Sequence, residues 1–157
     1  KESQTYDVVF FDMPGTINNS GMLVTFLSMD YVFTPMYPSR IVMESTLAFI
    51  SNIKELLATR KNLTLKDIYL FWNRIDGRVK RDMMDSYEKI ITQLELKMLK
   101  TMIPQLVRFD KEQSSYSNEA IFLSTIFPPD KALLKGSNLE ILMDEILTIT
   151  GLKNDQI

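Results

Sequence analysis

The chain contains no cysteine and no histidine. Without cysteine there is no disulfide, no thiol nucleophile and no thiolate metal site. Without histidine the usual general base and the commonest metal ligand are missing. Any chemistry must therefore rest on carboxylates, amides, hydroxyls, Lys, Arg or the backbone. Glycine is scarce, with five in 157 residues. They stand at 15, 21, 77, 136 and 151, and none forms a G-x-x-x-x-G-K-[ST] loop or a G-x-G-x-x-G turn. No Gly-Lys dipeptide occurs, so the sequence holds no phosphate cradle of its own. Charge of one sign is also lacking: 18 Lys and Arg against 20 Asp and Glu leave −2, which excludes a broad basic footprint for nucleic acid. No apolar run approaches the ~18 residues that span a bilayer. Blocks such as Val8-Val9-Phe10-Phe11 are far shorter, and Lys1-Glu2-Ser3-Gln4 does not read as a signal peptide.

What remains is ordinary for a globular chain, 45% apolar and 24% charged. A soluble, cytoplasmic, single domain over residues 1–157 is expected, without internal repeats or linkers. Tyr6 to Asp12 is apolar on both faces and reads as a buried parallel strand. Met22 to Met29 is a short helical candidate. Tyr31 to Thr34 reads as a second strand closed by Pro35 and Pro38, neither of which suits a central ladder. Met43, Leu47, Ile50, Ile53 and Leu57 share one helix face between Ile41 and Leu57. Asp67 to Trp72 is a third strand, Tyr87 to Leu94 a further amphipathic helix, and Leu99 to Ile103 a fourth strand stopped by Pro104. Asp110 to Asn118 is turn-rich and reads as a mobile surface loop. Ser137 and Glu140 have the spacing of a capping box before a helix through Leu147, and Gly151 sits where a left-handed C-terminal cap belongs.

Strands alternating with helices predict an α/β fold, a mostly parallel sheet flanked by helices. In such sheets ligands bind beyond the carboxyl ends of the strands, which makes the strand-end residues the candidates. Asp12 has the placement of a carboxylate holding a Mg²⁺-bound water beside phosphates, and one Asp suffices because Mg²⁺ retains waters. Gly15 brings a backbone N–H close to a terminal phosphate, since no Cβ obstructs it. The competing reading of both is an Asx-turn closing a strand. Asn73 offers a donor and an acceptor side by side for a purine edge, with Asp76 nearby; a bend leaving the strand explains the same pair. Arg74, Arg78, Lys80 and Arg81 are either an anion contact or a solvated face. The ten methionines read as core filler.

The ordered segments Tyr-Asp-Val-Val-Phe-Phe-Asp-Met-Pro-Gly, Met-Asp-Tyr-Val-Phe-Thr-Pro, Phe-Trp-Asn-Arg-Ile-Asp-Gly-Arg and Ile-Pro-Gln-Leu-Val-Arg-Phe resemble the ParA/MinD group of P-loop ATPases, roughly from Tyr6 to Gly151. The resemblance implies an incomplete P-loop NTPase-like fold: the C-terminal part of a ParA-like protein, without the family's Lys-Gly-Gly-x-Gly-Lys-Thr loop. It implies Asp12 on the Mg²⁺ and water side, Gly15 at the γ-phosphate switch, Asn73 on adenine and the loop after Pro104 as the pocket lid. ATP and Mg²⁺ are then cofactors of the parent protein, with none expected on this chain alone. Such proteins serve plasmid partition, chromosome segregation, cell-division placement and conjugative transfer. Contact with nonspecific DNA or a DNA-bound protein follows from the same likeness, and self-association is expected through a sheet edge or helix-packing face that the missing N-terminal part would cover. The acidic residue expected soon after Ile-Pro-x-x-Val-Arg is displaced, with Asp110, Lys111 and Glu112 filling that region. The alternative is a non-catalytic α/β interaction domain or a degenerate nucleotide-binding module. A receiver domain is disfavoured, because Asp12 has no adjacent acidic partner and the fourth strand ends in Pro104.

Overall fold

The computed structural model describes residues 6–13, 20–59, 63–110 and 131–153. Its centre is a three-stranded parallel sheet, in the order β1 (Tyr31–Met36), β2 (Asp67–Trp72), β3 (Lys97–Met98). Helices α1 (Ser20–Leu27), α2 (Arg40–Thr59) and α3 (Arg81–Gln93) precede or connect the strands. The short α4 (Val107–Asp110) and α5 (Lys131–Leu134) and the longer α6 (Leu139–Thr150) follow them. The fold is α/β, an open parallel sheet flanked by helices. Among the described residues no helix is long and apolar enough to cross a membrane.

β2 alternates between the two faces of the sheet, with Ile68, Leu70 and Trp72 buried and Asp67, Tyr69 and Phe71 half-buried. The buried set meets Met43, Leu47, Ile50 and Ile53 of α2, Met84 and Ile91 of α3, and Phe26 and Leu27 of α1 in one core. On the opposite face Phe33 stacks on Tyr69 with ring centroids 5.7 Å apart. The helical layer is locked by two polar ties. The indole Nε1–H of the fully buried Trp72 donates to Glu88 Oε1 on α3 at 2.8 Å. Lys54 of α2 donates to the carbonyls of Leu94 and Glu95, which α3 leaves unpaired at its C-terminus.

Four local expectations are corrected. Tyr6 to Asp12 forms no strand: its backbone has no regular secondary structure, and Val8, Val9, Phe10 and Phe11 are 39–66% exposed. A β-strand exists only as one side of a pair, and no described strand bonds to this segment. β1 does not stop at Thr34 but runs through Pro35 to Met36. Among the described residues it is an edge strand, and even-numbered residues face β2, as the bonds from Lys66 N–H to Asp30 O and from Asn73 N–H to Met36 O show. Pro35 therefore points its missing donor away from the ladder. The fourth strand lies at Lys97–Met98 rather than Leu99 to Ile103, with an isolated parallel bridge between Ile75 and Pro104 beyond it. The capping box is not made. Ser137 Oγ accepts from Leu139 N–H at 3.2 Å and donates to Leu134 O, while Asn138 takes the cap position at φ 60°. The left-handed cap at Gly151 is present, at φ 73°, with its N–H on Thr148 O and the N–H of Leu152 on Leu147 O. Except for Asp110, the last residue of α4, the 110–118 loop lies outside the described residues.

Candidate functional site at the strand ends

β2 carries Asn73 immediately beyond its last residue, and the main chain of Asn73 stays tied to the sheet by its N–H on Met36 O at 2.8 Å. Arg74 then adopts φ 55°, a left-handed conformation that a non-glycine residue takes at some cost. That reversal returns the chain to the sheet at Ile75, whose N–H donates to Ile103 O at 3.0 Å and whose carbonyl accepts from Gln105 N–H at 3.0 Å. Two strand ends that are far apart in sequence are thus joined. Asn73 and Asp76 stand within two residues of Ile75, the residue bridged to Pro104; Asn73 is half-buried, and its carboxamide has no hydrogen bond among the described residues.

Asp76 is occupied by its own turn. Arg78 donates its backbone N–H at 2.9 Å, and its guanidinium spans both carboxylate oxygens, the shortest contact being 2.6 Å from Nη2 to Oδ2. These bonds, side chain first and backbone second, lower the Asp76 carboxyl from 3.8 to about 2. A pKa depressed in the folded state makes the turn's contribution complete above pH 3.8 and lost as pH falls through about 2. Arg78→Ala is expected to return the Asp76 titration, followed by carboxyl carbon NMR, towards 3.8. A midpoint staying near 2 would show that Arg78 is not the cause.

The basic run is largely internally paired. Arg78 holds Asp76 and Arg81 holds Asp85 at 3.1 Å, with Lys80 between them; all three basic residues are exposed. Exposed pairs of this kind are weak, so they exchange readily with an anion and do not decide between the solvated face and the phosphate contact.

Asp12 lies in the exposed 6–13 segment, and no hydrogen bond or ion pair joins it to Asn73, Asp76 or Pro104 among the described residues. Gly15 lies outside the described residues. Among those described, no group of three or more acidic side chains could hold a metal ion. A single exposed carboxylate is nonetheless a donor of the hard-oxygen kind that Mg²⁺ takes while keeping most of its waters. An open groove of about 610 Å³ between α2 and α3 is lined by Leu47, Tyr87, Ile90 and Leu94 among others, none of them a strand-end residue.

Sequence reasoning missed the groups behind this site. β2 advances two residues between Leu70 O and Trp72 O, while their partners on the chain that continues past β3, Leu99 N–H and Ile103 N–H, are four apart. Two extra residues therefore bulge out of the ladder between Leu99 and Ile103. Glu145 of α6 accepts from the N–H groups of Lys100 and Thr101, at 2.7 and 2.9 Å, and Asn138 Nδ2 donates to Met102 O at 2.9 Å. Burial opposes ionisation of Glu145, but the bonds from Thr101 and Lys100 outweigh it and hold its pKa below the usual carboxylate value. No local signal marks these contacts, which join residues 36–45 apart.

Comparison with protein-family models, with curated proteins and with solved structures finds no match.

Proposed function

We propose that the chain is part of a ParA/MinD-type ATPase whose phosphate loop lies outside this sequence, acting in an ATP-controlled switch that partitions or positions DNA or conjugative-element cargo. The observation that carries this reading is the junction at Ile75 and Pro104. It ties Pro104 to Ile75, two residues beyond Asn73, which supports the resemblance's assignment of Asn73 and Pro104 to one adenine pocket although 30 residues separate them in the sequence.

In this reading the carboxamide of Asn73 takes the purine edge, donating and accepting side by side. The Ile103–Pro104 segment supplies the apolar wall, and the bonds at Ile75 hold that wall one strand away from Asn73. Asp76, already engaged by Arg78, shapes the turn beside the base rather than reading it. Mg²⁺, when bound, neutralises phosphate charge, and Asp12 is the carboxylate that would hold its water. Asp12 must be carried to the strand ends for this, which requires Val8–Phe11 to pair with a further strand.

The test is calorimetry of ATP and GTP binding to the full-length protein and its Asn73→Ala variant. The expected result is a preference for ATP that falls on the order of tenfold in the variant, because a base edge loses its hydrogen-bond partner. The 157-residue chain alone is expected to bind ATP far more weakly and to hydrolyse none, since the phosphates lack their loop. A full-length protein that binds no nucleotide, or a short chain that binds ATP tightly with Mg²⁺, overturns the reading.

A further inference from the structure

We infer that α6 is a positioning element for the strand-end site: Glu145 and Asn138, by holding the bulge in the chain past β3, fix the Ile103–Pro104 segment against Ile75. The inference rests on the reading that Pro104 walls a nucleotide pocket.

The argument starts from the backbone. A bulge removes main-chain groups from the ladder, and buried main-chain groups need partners. Thr101 is buried, so its N–H requires an acceptor that β2 does not supply, and the exposed Lys100 before it gives its N–H to the same acceptor. One carboxylate satisfies both, an oxygen for each, while Asn138 takes the Met102 carbonyl immediately before Ile103. The three bonds span the whole excursion from Lys100 to Met102. Ile103 then re-enters the ladder through its N–H on Trp72 O at 2.9 Å and passes directly into the bridge at Ile75. The place of Pro104 is therefore set from two sides, by β2 and by α6. Ile146, beside Glu145, is buried and anchors that stretch of the helix.

Two variants probe this without removing the helix. Glu145→Gln keeps the shape but leaves one acceptor oxygen for two N–H groups, so one bond is lost. Asn138→Gly suits the left-handed backbone at φ 60° and deletes only the tie to Met102. Amide hydrogen exchange on the full-length protein is expected to quicken about tenfold or more at Ile103 and Gln105, the scale of a lost charge-assisted bond, with Asn73 unchanged on the β1 side. ATP binding should weaken in both variants, with kcat at saturating ATP unaltered. Glu145→Asp should rescue neither, since a shorter side chain cannot reach both N–H groups. Acceleration confined to Lys100 and Thr101, or exchange that changes at Ile103 while ATP affinity does not, overturns the inference. Failure of the pocket reading is separately visible: Asn73→Ala then also leaves ATP affinity unchanged.

Discussion

Trp72→Ala is expected to lower the unfolding free energy by about 3–5 kcal/mol, the scale for truncating a buried aromatic ring. Domain stabilities are on the order of 5–15 kcal/mol, so the variant should be at best marginally folded. The reason lies in where Trp72 sits. It is the last residue of β2, fully buried, and its ring contributes to the core that α1, α2 and α3 share. Its N–H also holds Glu88 of α3, so truncation removes a packing unit and a tie between layers together. Glu88→Ala separates the two effects, because it keeps the ring and orphans the buried donor, at a cost of about 1–3 kcal/mol. Far-UV circular dichroism through a urea titration is the appropriate measurement, since Trp72 is the sole tryptophan and its emission disappears with it. A midpoint equal to that of the parent chain would refute the placement of the ring in the core.

Asp12→Ala should reduce ATP turnover by the full-length protein on the order of 10²-fold or more, the usual consequence of losing a preorganised charge at a phosphoryl-transfer site. Stability should not change, because Asp12 is exposed and makes no ion pair among the described residues. Asp12→Asn should fall with it: the amide keeps the shape but not the charge that orients a metal-bound water. Coupled-enzyme phosphate release and a urea midpoint on the same preparation distinguish loss of chemistry from loss of fold. Turnover at the parent rate in Asp12→Ala would remove the ATPase assignment, whatever Asn73 does.

The elements legible in the sequence are those whose signal is periodic. The stepping of Met43, Leu47, Ile50 and Ile53 located α2, and the same four side chains are buried in it. Asp67 to Trp72 was legible as a strand because its aliphatic and aromatic run is bounded by polar turns, and β2 occupies those residues. Tyr6 to Asp12 carries an equally strong composition, yet pairing decides a strand and composition does not. Pro35 misled in the other direction, since its effect on a ladder depends on which side of an edge strand it faces. Of the site, Asn73 was legible as a strand end, whereas Pro104, expected to stop a strand at Leu99 to Ile103, lies past β3 in an isolated bridge to Ile75. That bridge was not legible, because it depends on a left-handed Arg74 and on a bulge held from another helix. Those are tertiary facts, and no window along the chain contains them.

The size of the bulge has a consequence for how the chain can be edited. Side chains on a strand alternate with period two, so an insertion of two residues leaves the phase intact. Leu99 and Ile103, on either side, are accordingly both buried, at 3% and 6% exposure. Losing a single residue from 100–102 would rotate Ile103 onto the wrong side and turn Pro104 away from Ile75. Losing two would straighten the ladder and retract the end while Leu99 and Ile103 kept their side. A one-residue deletion at this end is therefore expected to destabilise the chain more than a two-residue deletion, which urea midpoints of the two variants would check.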